Sequence, residues 1–300
     1  MKHALLIALV YLVLGCSENS QTVDTTEADT SEVEAPAQMS PESSAPALGD
    51  VLDRQPDEVK ARYPYRNPEK TLTLFDIQPG MTVAEVLPGR GWYSKILVPY
   101  LGDEGKLIGI NYSQEMAGKV FPPQFQEMFR TFTTDWPGQI ATSAEEGASI
   151  EAYEFGSITD SLEGSVDRIL FIRALHHLSR SQPHGDYYQN AVAESYKILK
   201  PGGKVGIVQH ESAEDMSDEW AIGSNGYLKK SQVIAIFESA GFELLEDSDI
   251  NSNSKDQPTE NDIVWRLPPS LRGVGEDEAL KAEMLAIGES NRMTLVFKKP

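Results

Sequence analysis

The sequence predicts an α/β fold, a mostly parallel sheet of about seven strands with helices on both faces. Three observations predict it. Short β-branched and aliphatic runs recur along the chain, at Thr82–Val86, Lys106–Ile110, Glu151–Phe155, Val166–Phe171 and Lys204–Val208. Helical spacings lie between them: Tyr93, Ile96, Leu97, Tyr100 and Leu101 fall at i, i+3, i+4, i+7 and i+8. The first run also passes into Pro88-Gly89-Arg90-Gly91, a strand-to-helix turn with two glycines. Strand, helix, strand at this spacing is the right-handed parallel unit, and its repetition builds such a sheet.

The chain of 300 residues is long enough to bury a full core, and its composition suits one folded domain with tails. Lys2 and His3 precede an apolar segment from Ala4 to Leu14, then Gly15-Cys16, so residues 1–16 read as a secretory signal peptide too short to span a bilayer. Val13-Leu14-Gly15-Cys16 resembles a bacterial lipobox, which implies cleavage before Cys16 and lipidation of its thiol and new amine. Cys16 is the only cysteine, so no intramolecular disulfide forms; an unmodified signal peptide with an incidental cysteine is the alternative. Several acyl chains anchor far more firmly than one. Ser17, rather than Asp, follows the cysteine. The expected location is the bacterial cell envelope, lipid-anchored and facing the periplasm, the outer membrane ahead of the inner.

Residues 17–50 are Ser, Thr, Glu, Asp, Ala and Pro without Lys or Arg, a disordered acidic tether. The tether supplies a large share of the net charge of −20, so that charge says little about the folded part. It still argues against nucleic acid or an anionic membrane surface as partner. The folded domain spans residues 51–300.

Within it, Asn67-Pro68-Glu69-Lys70 opens a helix through Phe75 that Gln78-Pro79-Gly80 ends. Gly102-Asp103-Glu104-Gly105 turns the next helix back into the second strand. Residues 116–148 read as helices broken at Trp136-Pro137-Gly138. Tyr188, Val192, Tyr196 and Leu199 share one helical face, and Lys200-Pro201-Gly202-Gly203 turns into the fifth strand. Ser231–Ala240 is an amphipathic helix capped by Gly241, and Phe242–Leu245 and Met293–Phe297 complete the sheet.

The Gly89 and Gly91 loop allows close backbone approach to a ligand and aims a helix N-terminus at it; a plain turn is the alternative. Asn111 ends the second strand about 20 residues on, where an acidic residue takes ribose hydroxyls in dinucleotide sites. Asn can donate and accept, so it can hold a diol without the strength that charge adds.

Val83-Ala84-Glu85-Val86-Leu87-Pro88-Gly89-Arg90-Gly91, Ser165-Val166-Asp167-Arg168-Ile169-Leu170, Leu175-His176-His177-Leu178 and Leu199-Lys200-Pro201-Gly202-Gly203 resemble the successive motifs of class I S-adenosylmethionine-dependent methyltransferases. The resemblance runs from about Asn67 to the C-terminus. More narrowly, Gly89-Arg90-Gly91-Trp92-Tyr93, Arg173-Ala174-Leu175-His176 and Ile287-Gly288-Glu289-Ser290-Asn291-Arg292-Met293-Thr294-Leu295 are similar to a bacterial group of predicted exported methyltransferases. The resemblance implies the Rossmann-like class I methyltransferase fold, S-adenosylmethionine as cofactor and a small-molecule methyl acceptor. It implies that Glu85, Pro88, Gly89 and Gly91 line the methionine and ribose parts, Asn111 the ribose and Ser157 the adenine edge. Three positions depart from the family pattern: Leu87 stands where its first glycine falls, and Asn111 and Ser157 stand where acids fall.

Methyl transfer needs a nucleophile held in line and a base for its proton. His176, just past the fourth strand, and His210, ending the fifth, are the candidate bases, with packing or capping as the alternative for each. Arg173 suits a substrate carboxylate, or else pairs with Asp167 or Glu211. Trp92 and Tyr93 are core before they are cofactor contacts. Asn251–Arg272 is long for a connection and is a candidate lid, and Gly223–Tyr227 a pocket-lining loop. No metal site is expected from five scattered histidines. Because S-adenosylmethionine is made in the cytosol, a cofactor-less envelope binding module on the same fold stands as the alternative function.

Overall fold

The computed structural model describes residues 45–158 and 162–300. The segment read as a signal peptide, with Cys16, and the tether up to residue 44 lie outside the described residues. A helix at Leu48–Arg54 starts slightly ahead of the expected domain start at Val51 and buries Val51 and Leu52. Short helices at Asp57–Lys60 and Tyr63–Arg66 follow, then the expected one at Pro68–Leu74 behind Asn67. The four-residue helices are too brief to leave a periodic signal.

The strands are β1 (Thr82–Val86), β2 (Lys106–Asn111), β3 (Ser149–Glu154), β4 (Val166–Ile172), β5 (Leu199–Ser212), β6 (Leu228–Lys229), β7 (Glu243–Ser248) and β8 (Arg292–Lys298). The main sheet runs β3-β2-β1-β4-β5-β8-β7, with β6 paired to the far end of β5. Pairings among β1 to β5 are parallel, and β8 is antiparallel to both neighbours. This is the seven-stranded, mostly parallel sheet that the sequence predicts. Strand order reverses between β1 and β4, which leaves a crevice at their carboxyl ends.

Alternate strand residues serve opposite faces, as the pleat requires. Ala84, Val86, Ile169 and Phe171 join one core, with Met116, Leu175, Tyr188, Val192 and Phe237 from the covering helices. Val83, Leu107 and Leu170 join the other, with Leu72, Ile96, Leu97 and Trp136. Helices therefore cover both faces.

Two elements differ from expectation. The Phe132–Ser143 helix runs straight through Trp136-Pro137-Gly138. Pro137 removes one helical hydrogen bond, but Phe132, Trp136 and Ile140 bury one face at i, i+4 and i+8. Trp136 also fits only because Gly109 of β2 lacks a side chain; a Cβ there would meet its ring at 2.6 Å. Lys200-Pro201-Gly202-Gly203 lies inside β5 as a bulge between the Val166–Leu199 and Arg168–Lys204 pairs. Its glycines are held from the other side by Lys299: Gly202 N–H donates to Lys299 O at 2.8 Å, and Lys299 N–H to Gly203 O at 3.0 Å. A helix at Glu278–Ile287, capped by Asp277, precedes β8 and had no expectation attached.

Candidate functional site

The chain leaves β1 and β4 in the same way. Leu87 N–H donates to Ile110 O of β2 at 2.7 Å, and Arg173 N–H donates to Val208 O of β5 at 2.6 Å. Each residue then turns into the left-handed region, at φ 51° for Leu87 and 57° for Arg173. Left-handed backbone is costly for a residue with a Cβ, and such strain concentrates at functional sites. It also explains why a glycine suits position 87.

Two cavities flank this point and share Leu87, Gly89, Arg90 and His177. The first, about 450 Å³, is walled by Asn111, Tyr112, Phe129, Phe132, Trp136 and Ile140. It is largely aromatic. Asn111 Oδ1 accepts the Tyr112 N–H at 2.9 Å, which leaves Nδ2 as its donor. Trp136 Nε1 and His177 Nδ1 are buried without a hydrogen-bond partner among the described residues.

The second cavity, about 390 Å³, is polar and charged. Glu85, Pro88, Arg173, His176 and His210 all line it, so the sequence-predicted residues at the ends of β1, β4 and β5 converge there. Glu85 is only 3% exposed, and burial pushes its carboxyl up to about 7 against the Ser94 hydroxyl, which donates to Oε2 at 2.6 Å.

The His176 and His177 rings lie 3.9 Å apart and the His176 and His210 rings 5.3 Å apart. Burial drives His176 down to about 3 and the other two well below their ordinary value. All three are neutral at pH 7. Gln209 Nε2 donates to Gly226 O at 2.9 Å, so its Oε1 faces His176 as an acceptor, 3.2 Å from Nδ1. That network puts the His176 proton on Nδ1 and leaves Nε2 with its lone pair. His210 Nδ1 is 2.5 Å from Ser290 Oγ.

Arg173 pairs with neither Asp167 nor Glu211. Lys200 holds Asp167 at 2.6 Å, and Lys230 reaches Glu211 at 3.3 Å. Among the described residues no group accepts a hydrogen bond from the Arg173 guanidinium, and burial and the neighbouring Arg292 pull its pKa down, against the opposing pull of Glu289.

Sequence reasoning missed the clamp behind this wall. The Glu289 carboxylate binds Arg62, Arg66 at 3.2 Å and Arg292 at 3.2 Å. Arg66 in turn stacks over Trp92 with its guanidinium 4.7 Å from the ring centroid. Trp92 and Tyr93 both pack in the core and line the second cavity. The Glu289-Ser290-Asn291-Arg292 motif was visible, but nothing in the sequence paired it with Arg62 and Arg66.

Three expected parts of the site lie outside both cavities. Ser157 lines neither cavity: its hydroxyl donates to Glu154 O at 2.9 Å and closes the turn after β3, so it is spent on the strand end. Gly91 also lines neither. Its role is steric, since a Cβ would lie 2.3 Å from Ile140 Cδ1. Gly223–Tyr227 does not line the second cavity but packs beneath it, where a Cβ on Gly223 would meet His176 O at 2.5 Å. The Asn251–Arg272 segment does reach the cavity, through Trp265 and Pro269. It is tied down by the Arg266–Asp256 pair at 2.9 Å and by Arg266 Nη1 donating to Tyr227 Oη at 2.9 Å.

No protein-family model matches the chain, and no curated protein does. Several solved structures share its general shape. They include a SAM-dependent methyltransferase from Aquifex aeolicus, at 18% identity over 82% of this chain and 99% of that one, TM-score 0.45. The [4+2]-cyclase SpnF shows 16% identity over 78% and 80%, TM-score 0.47. A geranyl diphosphate methyltransferase in complex with SAM shows 13% identity over 84% and 95%, TM-score 0.46. Likenesses this weak say nothing about cofactor or substrate.

Proposed function

We propose that this protein is an S-adenosylmethionine-dependent methyltransferase acting on a small molecule. The observation that carries the reading is the pair of cavities meeting over the Leu87–Arg90 loop, one aromatic and one bearing His176 and Arg173, at the reversal of strand order. Nucleotide-like ligands bind at such crevices.

The residues fit the cofactor. Tyr112, Phe129 and Phe132 offer an apolar slot for a purine, Asn111 Nδ2 a donor for ribose, and Trp136 Nε1 and His177 Nδ1 two unsatisfied polar atoms in the same wall. Gly89 and Pro88 bring bare backbone to the junction, and Glu85 offers a carboxylate for an ammonium. When bound, S-adenosylmethionine supplies an electrophilic methyl group. The chain's own contribution is to hold an acceptor O–H or N–H beside His176 Nε2, which takes the proton as the new bond forms, and to exclude water beneath Trp265 and Pro269.

The same proposal places the protein in a bacterial envelope. Its support is the apolar segment ending in Val13-Leu14-Gly15-Cys16 and the acidic tether, which together suit a lipid-anchored protein facing the periplasm, with the outer membrane ahead of the inner. Cys16→Ala is expected to abolish palmitate labelling and release the protein from membranes; unchanged labelling excludes the anchor.

A second reading, a cofactor-less envelope binding module, is favoured by Ser157 lying outside both cavities and by the engaged Oδ1 of Asn111. Titration calorimetry with S-adenosylmethionine and S-adenosylhomocysteine separates the two. Micromolar binding that weakens about tenfold in Asn111→Leu, the loss of one good hydrogen bond, supports the enzyme. No binding at millimolar ligand supports the module.

A further inference from the structure

Three arginines, Arg66, Arg90 and Arg173, line the second cavity against one acid, Glu85. Behind the wall Arg62, Arg66 and Arg292 share the carboxylate of Glu289, which also attracts Arg173. Glu85, the acid in the wall, is held up to about 7 by burial and is only partly ionised at neutral pH. The three imidazoles are neutral and donate no charge of their own.

Arg90 is exposed, whereas Arg173 is the half-buried cation of the wall with no hydrogen-bond acceptor among the described residues, and it lines the cavity from a strained left-handed backbone. A half-buried guanidinium without a hydrogen-bond acceptor is costly, and a carboxylate is the ligand whose planar geometry matches its fork. The rest of the wall qualifies the ligand further. Trp92, Ile172, Trp265 and Pro269 are apolar surfaces around Arg173, and Arg90 adds a second, exposed guanidinium.

On the reading of this site as a methyl-transfer centre, we infer that the methyl acceptor is an apolar or aromatic carboxylic acid whose carboxylate is bound by Arg173. The carboxylate also changes the histidines. Burial and neighbouring arginines keep them neutral, and an anion among them favours the protonated imidazole, so the acceptor itself makes His176 a better base.

The test uses the full chain and the fluorescence of Trp92 and Trp265, with benzoate, 4-hydroxybenzoate, benzyl alcohol and inorganic phosphate as probes. Benzoate and 4-hydroxybenzoate are expected to bind at least about tenfold more tightly than benzyl alcohol, the factor that a charge-assisted hydrogen bond supplies. Arg173→Gln is expected to erase that difference and Arg173→Lys to retain part of it. Equal binding of benzoate and benzyl alcohol, benzoate binding unchanged in Arg173→Gln, or a preference for phosphate each overturns the inference.

The cofactor carries a carboxylate of its own, so a second arm compares S-adenosylmethionine with its decarboxylated form. If wild type prefers the carboxylated form and Arg173→Gln does not, Arg173 serves the cofactor and the inference fails. Each acid is titrated with and without S-adenosylhomocysteine. Arg173-dependent acid binding in a protein that takes no nucleoside supports the carboxylate site while overturning the methyl-transfer reading.

Discussion

Ser94 Oγ donates a 2.6 Å hydrogen bond to Glu85 Oε2 inside the wall of the second cavity, and it is the one side chain that hydrogen-bonds this carboxyl among the described residues. Burial outweighs it and lifts Glu85 from 4.5 to about 7. The folded state therefore binds a proton more tightly than the unfolded chain does. Stability from this group is fully present below about 4.5 and is lost as pH rises through about 7. Glu85→Gln removes the titration and is expected to be more stable than wild type above pH 7, by roughly 3 kcal/mol. Thermal melts of both proteins from acid to alkaline pH check this, and a difference that does not change with pH excludes it.

Left-handed backbone separates substitutions at the junction of the cavities. Leu87→Gly relieves the strain of φ 51° but gives up apolar contact and adds unfolded-state freedom, so its stability should stay within about 1 kcal/mol of wild type. Leu87→Val puts a β-branched side chain in the same conformation and should cost about 2 kcal/mol. Urea denaturation gives both values.

The two loop glycines should behave differently. Gly89 has φ 58° and open space around a built Cβ, so Gly89→Ala pays only the left-handed penalty of about 1 kcal/mol. Gly91 has φ 72° and the Ile140 methyl at 2.3 Å, so Gly91→Ala adds overpacking and should cost about 3 kcal/mol. A Gly91→Ala, Ile140→Val double variant should recover part of that loss. Recovery of nothing would show that the contact is not the cause.

The imidazoles work against acid. With His176 lowered to about 3, the unfolded chain binds its proton first, and stability is lost as pH falls below 6.5. His176→Gln should flatten the acid limb of the stability curve between 6.5 and about 3. Nitrogen NMR of the labelled protein should show a protonated Nδ1 and a bare Nε2 on His176 at neutral pH. The opposite tautomer would deny the Gln209 network its role.

Glu289 is the keystone of four buried or half-buried charges. Glu289→Gln leaves Arg62, Arg66 and Arg292 without an anion and should cost about 3 to 5 kcal/mol, the range for breaking a buried pair from one side. Against desolvation, four arginines, Arg66, Arg292, Arg173 and Arg62, hold its carboxyl below the ordinary range, so this contribution is lost as pH falls through that lowered value.

Much of this was legible in the chain, and the limits have physical causes. The ends of β1, β4 and β5 could be read because apolar runs stop at polar residues, and Glu85, Arg173, His176 and His210 sit at those stops. Arg66 could not, since its partner Glu289 is 223 residues away and pairing between charges leaves no local pattern. Pro137 misled because its helix-breaking tendency is local, while Trp136 is placed by a strand glycine distant in sequence. Ser157 misled for the opposite reason: a hydroxyl beside a strand end satisfies the nearest carbonyl before any ligand.

The position of β8 has a consequence for biosynthesis. It follows every other strand in the chain, yet it lies between β5 and β7 and pairs with both. A nascent chain stopped before Arg292 holds all the parallel strands but leaves β5 with an open edge and β7 with no place in the sheet. Glu289 and Ser290, which secure the arginines and His210, arrive only just ahead of β8. Ribosome-bound intermediates should thus be sticky and incompetent, and the cavities take shape only after synthesis has passed Lys298.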